Sequence, residues 1–214
     1  MKQIELHNVI PEIFASREDV HSDIWLTDFR FERGKKYLVE AESGTGKSSL
    51  CSYLFGQRGD YRGDILFDGE DIRGYSVGDW SRLRTQSIGI LFQDLKLFDE
   101  LTAWENVELK NRLTHTQERA TILAWFEELG ISDKLDARIG RMSYGQQQRV
   151  ALIRALCQPL DFLILDEPIS HLDSRNSDIM RDIILRETER QGAAIIATSI
   201  GKHMDINYDK VVRL

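Results

Sequence analysis

Long apolar runs are missing from this sequence. No stretch approaches the ~20 consecutive apolar residues that a bilayer-spanning helix requires, and the opening MKQIELHNVI lacks the apolar core of a secretory leader. The expected location is therefore the compartment of synthesis, the cytosol. Cysteine is scarce. Cys51 and Cys157 lie far apart, each inside an apolar helical pattern, which favours buried reduced thiols over a disulfide or a metal site. Only three prolines occur, and no low-complexity segment or fixed-period repeat interrupts the chain. An excess of positive charge is also absent. The 28 Lys and Arg against 35 Asp and Glu leave a net charge of −7, so no nucleic-acid partner is expected. What remains is a globular composition, 42% hydrophobic and 29% charged over 214 residues. That is room for one domain with an inserted subdomain.

The stretch Ala41–Ser49, AESGTGKSS, organises the rest. It follows the apolar run Tyr37-Leu38-Val39 and opens into the helical pattern Leu50–Phe55. A strand, a glycine-rich turn and a helix N-terminus together make a phosphate cradle. Inward-facing backbone amides and the positive end of the helix both favour an anion. In this loop Glu42, Ser43, Gly44, Thr45, Gly46 and Ser49 would wrap the phosphates. Lys47 would reach the outer ones, and the Ser48 hydroxyl would ligate magnesium. Ala41 stands where the pattern G-x-x-x-x-G-K-[ST] has its first glycine, a small cost if its φ stays negative.

Around this loop the chain alternates strands and helices. Ile4–Val9 alternates apolar and polar residues, Ile24–Phe31 reads as a second strand, and Gly63–Gly69 as a short strand with a turn. Together these predict a small antiparallel sheet at one edge. Ser76-Val77-Gly78-Asp79, Thr102-Ala103-Trp104-Glu105 and Ser143-Tyr144-Gly145-Gln146 have capping-box spacing and predict three helix starts. Ile88–Phe92, Asp161–Leu165, Ala193–Ala197 and Lys210–Leu214 read as buried strands. Helices are expected over about 117–129 and 174–191, each stopped by a glycine. Residues 94–142 carry helical patterns and no buried strand, as an insertion would. The predicted class is α/β: a P-loop NTPase core with a mostly parallel sheet, an antiparallel edge subdomain and a helical insertion. Ligand is expected at the carboxyl ends of the parallel strands.

The apolar strand Phe162–Leu165 delivers two carboxylates, Asp166 and Glu167, ahead of Pro168. Asp166 is placed to hold magnesium, and Glu167 to orient and deprotonate an attacking water.

Met142–Arg149, MSYGQQQR, resembles the L-S-G-G-Q signature of ATP-binding-cassette (ABC) ATPases, and lies just ahead of LILDEP. The resemblance spans essentially the whole chain. It includes Gln93 at the end of its strand, and Ser170-His171-Leu172-Asp173 as the loop with the terminal aspartate. It implies one ABC ATP-binding domain over 1–214 that binds ATP and Mg2+ and hydrolyses ATP. It also implies a head-to-tail dimer, as a homodimer or with a paired ATPase subunit. Each nucleotide would then lie between one phosphate loop and the other subunit's Ser143, Gly145 and Gln146, with Asp173 at the interface. Gln93 would sense magnesium and the attacking water. Phe14 resembles the aromatic that stacks on adenine, although a surface or minor core role fits it equally.

Ile88–Val107 is most similar to the lipoprotein-release, macrolide-export and cell-division branch. That similarity implies an integral membrane permease subunit as partner, and a peripheral place at the inner face of the membrane. The insertion would be the docking surface, with Leu95, Leu97 and Phe98 near the contact or else in the insertion's core. The alternative function is a weakly hydrolysing ATP-gated switch acting on a membrane partner.

Two further departures from the family pattern bear on turnover. Tyr144 stands at the first glycine of the signature. Ser199 stands where a histidine usually contacts the γ-phosphate, and its shorter hydroxyl offers one hydrogen bond. Neither His171 nor His203 is an obvious substitute. Slow basal hydrolysis is the expectation.

Overall fold

A computed structural model describes residues 1–214 apart from Glu18 and His171. Two sheets divide the strands. Strands β1 (Gln3–Pro11), β2 (Asp28–Glu32), β4 (Tyr61–Phe67) and β5 (Glu70–Asp71) form an antiparallel sheet in the order β2-β1-β4-β5. The second sheet is parallel, in the order β6-β7-β8-β3-β9. It contains β3 (Lys36–Glu40), β6 (Ile88–Leu91), β7 (Phe162–Asp166), β8 (Ala194–Ser199) and β9 (Lys210–Arg213).

The parallel strands β6, β7 and β8 are buried along their whole length, which explains why they read as unbroken apolar runs. Their side chains still divide with period two. Leu163, Leu165, Ile195 and Ala197 join a core shared with helices α5 (Tyr144–Leu156) and α6 (Ser174–Gln191). Phe162, Ile164, Ala194 and Ile196 face the opposite core, shared with α1 (Lys47–Leu54) and the antiparallel sheet. Cys51 and Cys157 are both free and buried, one in each core.

Each of the three capping boxes forms. Ser76 and Asp79 start α2 (Val77–Gln86), Thr102 and Glu105 start α3 (Ala103–Asn111), and Ser143 and Gln146 start α5. In each, the hydroxyl takes the third amide and the third side chain returns to the cap amide, satisfying two orphan donors. Helix α6 ends at Gly192, whose φ of 61° is the left-handed conformation glycine adopts without penalty. Between β6 and α5, residues 94–142 carry α3 and α4 (Arg119–Glu128) and contribute no strand to either sheet.

Two sequence expectations need correction. Residues 24–27 do not extend β2. The Ser22 hydroxyl accepts from the amides of Ile24 and Trp25, and Thr27 donates to the Asp23 carbonyl. These local bonds compete with a sheet ladder and fold the segment into turns. Helix α4 begins at Arg119 rather than Gln117, because Gln117 is drawn inward. Its amide donates to Asn111, and its side chain donates to the Leu156 carbonyl and to Glu187.

Candidate functional site

The register of the parallel sheet sets the site. Val39 and Asp166 both lie opposite Thr198, so the ends of β3, β7 and β8 are level where the chain leaves them. The phosphate loop departs from β3 at that edge. Gly44 and Gly46 have φ of 83° and 101°, which turns the amides inward. Gly46 is also close-packed. A Cβ there would lie 3.1 Å from the Phe14 ring and 3.3 Å from Trp25. The indole N–H of Trp25 donates to the Thr45 carbonyl at 3.0 Å, and the Thr45 hydroxyl donates to the Glu42 carbonyl at 2.9 Å. Ala41 keeps a negative φ, so the missing first glycine brings no backbone strain.

Lys47 opens α1 and is buried. Its ammonium donates to the Glu42 carbonyl at 3.2 Å and lies 3.6 Å from the Glu167 carboxylate. The loop's own lysine is thus neutralised by the acid expected to activate water. An arriving polyphosphate would take over the ammonium and release Glu167 for another partner. Glu167 has a left-handed φ of 50°, a conformation that costs a non-glycine residue about 1–2 kcal/mol. Thr198 supports it: its hydroxyl accepts from the Glu167 amide at 3.2 Å and donates to the Asp166 carboxylate at 2.8 Å.

Two adjoining cavities gather these groups. One, of about 460 Å3, is lined by Phe14, Ser43, Gly44, Gly46, Lys47, Ser48, Ser49, Gln93 and Glu167, with Arg17, Arg58 and Ile200 at its walls. The other, of about 580 Å3, holds Ser48, Gln93, Asp166 and Tyr144. A hydroxyl, an amide and a carboxylate meeting in one cavity fit magnesium, a hard cation that takes oxygen ligands, retains waters and shares phosphate oxygens. Cys51, fully buried behind them, has its thiol pushed well up by burial and by the adjacent Asp166 carboxylate, so it stays protonated.

Phe14 is buried beside Gly46, and the Arg17 guanidinium lies 4.3 Å from its ring centroid. An incoming base would have to share or displace that guanidinium. Gln93 lines both cavities.

Ser199 lines neither cavity. It is 2% exposed and its hydroxyl donates to the Lys202 carbonyl at 2.7 Å. Gly201 at φ 79° turns the chain back on β8, so a short side chain is satisfied locally and Ile200 lines the cleft instead. The His203 ring donates from Nδ1 to the carbonyl of its neighbour Met204 and packs edge-on against Tyr208. His171 lies outside the described residues.

Ser143, Gly145, Gln146 and Asp173 do not line either cavity of their own chain. Ser143 and Gln146 cap α5 reciprocally, with the Ser143 amide donating to the Gln146 side chain at 3.0 Å. Asp173 caps α6 through the Asn176 amide, which holds its carboxyl below the ordinary range, helped by the Asn176 side chain and Arg149. Leu95 is buried in the core, Leu97 is half-buried against it, and Phe98 is 56% exposed, so Leu95 cannot meet a partner directly.

Sequence reasoning missed Thr198 as the bridge between the two acids. It also missed Arg58, whose guanidinium donates to Ser49 at 3.0 Å, and Trp25, the prop beneath the loop. A hydroxyl residue closing an otherwise apolar strand was the available signal for Thr198. The two others depend on tertiary contacts.

The chain is similar to proteins of one family. A family model described as "ABC transporter" matches residues 26–170. The lipoprotein-releasing system ATP-binding protein LolD of Syntrophotalea carbinolica is 31% identical over 216 residues, covering 99% of this chain and 94% of that protein. The uncharacterized ABC transporter ATP-binding protein YbbA of Escherichia coli K12 is 31% identical, covering 99% and 93%. The macrolide export ATP-binding/permease protein MacB of Shewanella sp. ANA-3 is 31% identical over 85% of this chain but only 28% of that protein. Among solved structures, the dimeric ATP-binding cassette MJ0796 with ADP and Pi superposes with a TM-score of 0.77 at 22% identity, covering 92% of this chain and 87% of that one.

Proposed function

The chain belongs to the ABC transporter family, as an ATP-binding subunit with ATPase chemistry, and on that premise we propose how it works and with what. It binds Mg-ATP, pairs head-to-tail with a second ATPase subunit, and drives an integral membrane permease subunit. The observation that carries this reading is the convergence of Lys47, Ser48, Gln93, Asp166 and Glu167 on two adjoining cavities at the strand ends. Lys47 and the loop amides hold the phosphates. Ser48, Asp166 and Gln93 would hold magnesium, which when bound would neutralise charge on the phosphates. Glu167, once separated from Lys47, orients the attacking water and takes its proton. Ser143 and the Gly145 amide, which line neither cavity of their own chain, meet the partner's nucleotide at the start of α5.

A groove of about 250 Å3 beside the insertion supports docking of the permease. Phe55, Phe92, Phe98, Leu109 and Leu113 line it together with Lys110 and Arg154. Those two cations donate to backbone carbonyls of Arg84, Leu95 and Lys96, and form no ion pair among the described residues. A segment with an apolar face and a carboxylate matches this lining.

The alternative, an ATP-gated switch, gains support from one observation. With the Ser199 hydroxyl turned onto Lys202, residue 199 brings no donor to the γ-phosphate. Loss of one such donor costs about 100- to 1000-fold in rate. ATP hydrolysis by the purified chain, alone and with its membrane partner, separates the readings. Partner-stimulated turnover that Lys47→Ala abolishes supports the driven transporter. Turnover that stays slow in the assembled complex supports the switch. Unchanged ATP affinity in Lys47→Ala would remove the loop from both.

A further inference from the structure

Tyr144 is the first residue of α5, where the signature pattern would have glycine and where a ring beside the helix N-terminus would obstruct an approaching anion. The structure shows where the ring goes. The Tyr144 hydroxyl donates to the backbone carbonyl of Gln93, and the side chain lines the cavity that holds Ser48, Gln93 and Asp166 of the same chain. The ring is therefore folded back toward its own magnesium side. Ser143 remains exposed, and its hydroxyl still caps the helix. Burial, then the charges of Asp94 and Glu167, push the phenol up, so it stays a protonated donor at neutral pH.

A second grip lies ten residues along the same helix. Arg154 donates to the Leu95 carbonyl at 2.7 Å and to the Lys96 carbonyl at 2.6 Å. Leu95 and Lys96 are consecutive non-glycine residues at φ 58° and 48°, a pairing that L side chains adopt only when the surroundings impose it. Helix α5 thus holds the carbonyls of residues 93, 95 and 96, with Tyr144 near one end and Arg154 near the other. The start of α5 and the segment carrying Gln93 are tied together.

We propose that Tyr144 is a positioning residue: anchored on the Gln93 carbonyl of its own chain, it keeps its ring clear of the anion-facing end of α5. The inference rests on the head-to-tail pairing proposed above.

The test uses the full chain carrying Glu167→Gln, in which a nucleotide-bound dimer is expected to accumulate. Mg-ATP-dependent dimerisation is measured by light scattering for Tyr144→Phe and Tyr144→Gly in that background, with monomer ATP affinity measured alongside by calorimetry. Phe keeps the ring and loses the anchor, so dimerisation should weaken by about 3- to 10-fold, the equivalent of one net hydrogen bond. Gly removes the ring that needed anchoring and should restore dimerisation to within about twofold of the Glu167→Gln parent. Three results would overturn the proposal. Tyr144→Phe could dimerise like the parent. Tyr144→Gly could be as weak as Tyr144→Phe. Or the loss could be matched by a loss of monomer ATP affinity, placing Tyr144 in its own binding cleft. A Glu167→Gln parent that stays monomeric would instead refute the pairing itself, and this inference with it.

Discussion

Replacing Thr198 with valine removes one hydroxyl and little volume, and that hydroxyl connects both acids of the site. It donates to Asp166 at 2.8 Å and accepts from the Glu167 amide at 3.2 Å, in a residue that is 1% exposed. A hydrogen bond to a charged group contributes about 1.5–3 kcal/mol, and a buried amide left unpaired costs about 1–3 kcal/mol. Relaxation recovers part of this, so Thr198→Val should lose about 2–4 kcal/mol of stability. For a chain of this size each kcal/mol moves Tm by about 2–4 °C, giving a fall of about 5–15 °C. The kinetic effect should be separate. Without its amide tether, Glu167 loses support for its left-handed backbone. Hydrolysis should then fall at least about tenfold in kcat, with KM changed less than about threefold, since the group acts after binding. Thermal melts and steady-state kinetics on Thr198→Val and Thr198→Ser are the assay, with serine expected to recover most of both losses. A valine variant that melts within about 0.5 kcal/mol of the parent and hydrolyses ATP normally would refute the bridging role.

Ser199→Ala should leave kcat within about twofold while costing about 1 kcal/mol in stability, because the hydroxyl serves the Lys202 turn. A tenfold fall in kcat would return the side chain to the cleft. Lys110 has its pKa pushed down to about 8, first by burial and then by Arg154. The unfolded chain therefore binds that proton more tightly, and stability should rise with pH between about 8 and the ordinary lysine value of 10.5. Lys110→Met should accordingly raise Tm at pH 7, by an amount that shrinks as pH passes through that window. A difference that is constant with pH would mean packing, not charge, is responsible.

The sequence was most legible where one physical signal dominates. Phe162–Leu165 and Ala194–Ala197 are apolar because both faces of the sheet are covered, and their strands stand as read. The three capping boxes were equally clear, since a hydroxyl and an acid or amide three residues on satisfy each other locally. Ile24–Thr27 misled because buried apolar residues look alike in a strand and in a turn. The bonds from Ser22 and Thr27 decide the difference. Ser199 shows a different limit. Position within a motif fixes where the backbone goes, but the direction of a short hydroxyl depends on the nearest carbonyl, here that of Lys202. The Tyr144 anchor and the Lys47–Glu167 pair join residues 51 and 120 positions apart, a distance over which no sequence pattern reports contact.

The central claim is a nucleotide site completed by the start of α5 from a second subunit. It is tested most directly by light scattering of Glu167→Gln with and without Mg-ATP, repeated with Ser143→Arg added. The account predicts a dimer that forms only with Mg-ATP, and a double variant that binds ATP but stays monomeric, because the arginine holds the two halves apart. A double variant that dimerises like Glu167→Gln alone would place Ser143 outside the interface and contradict the composite site.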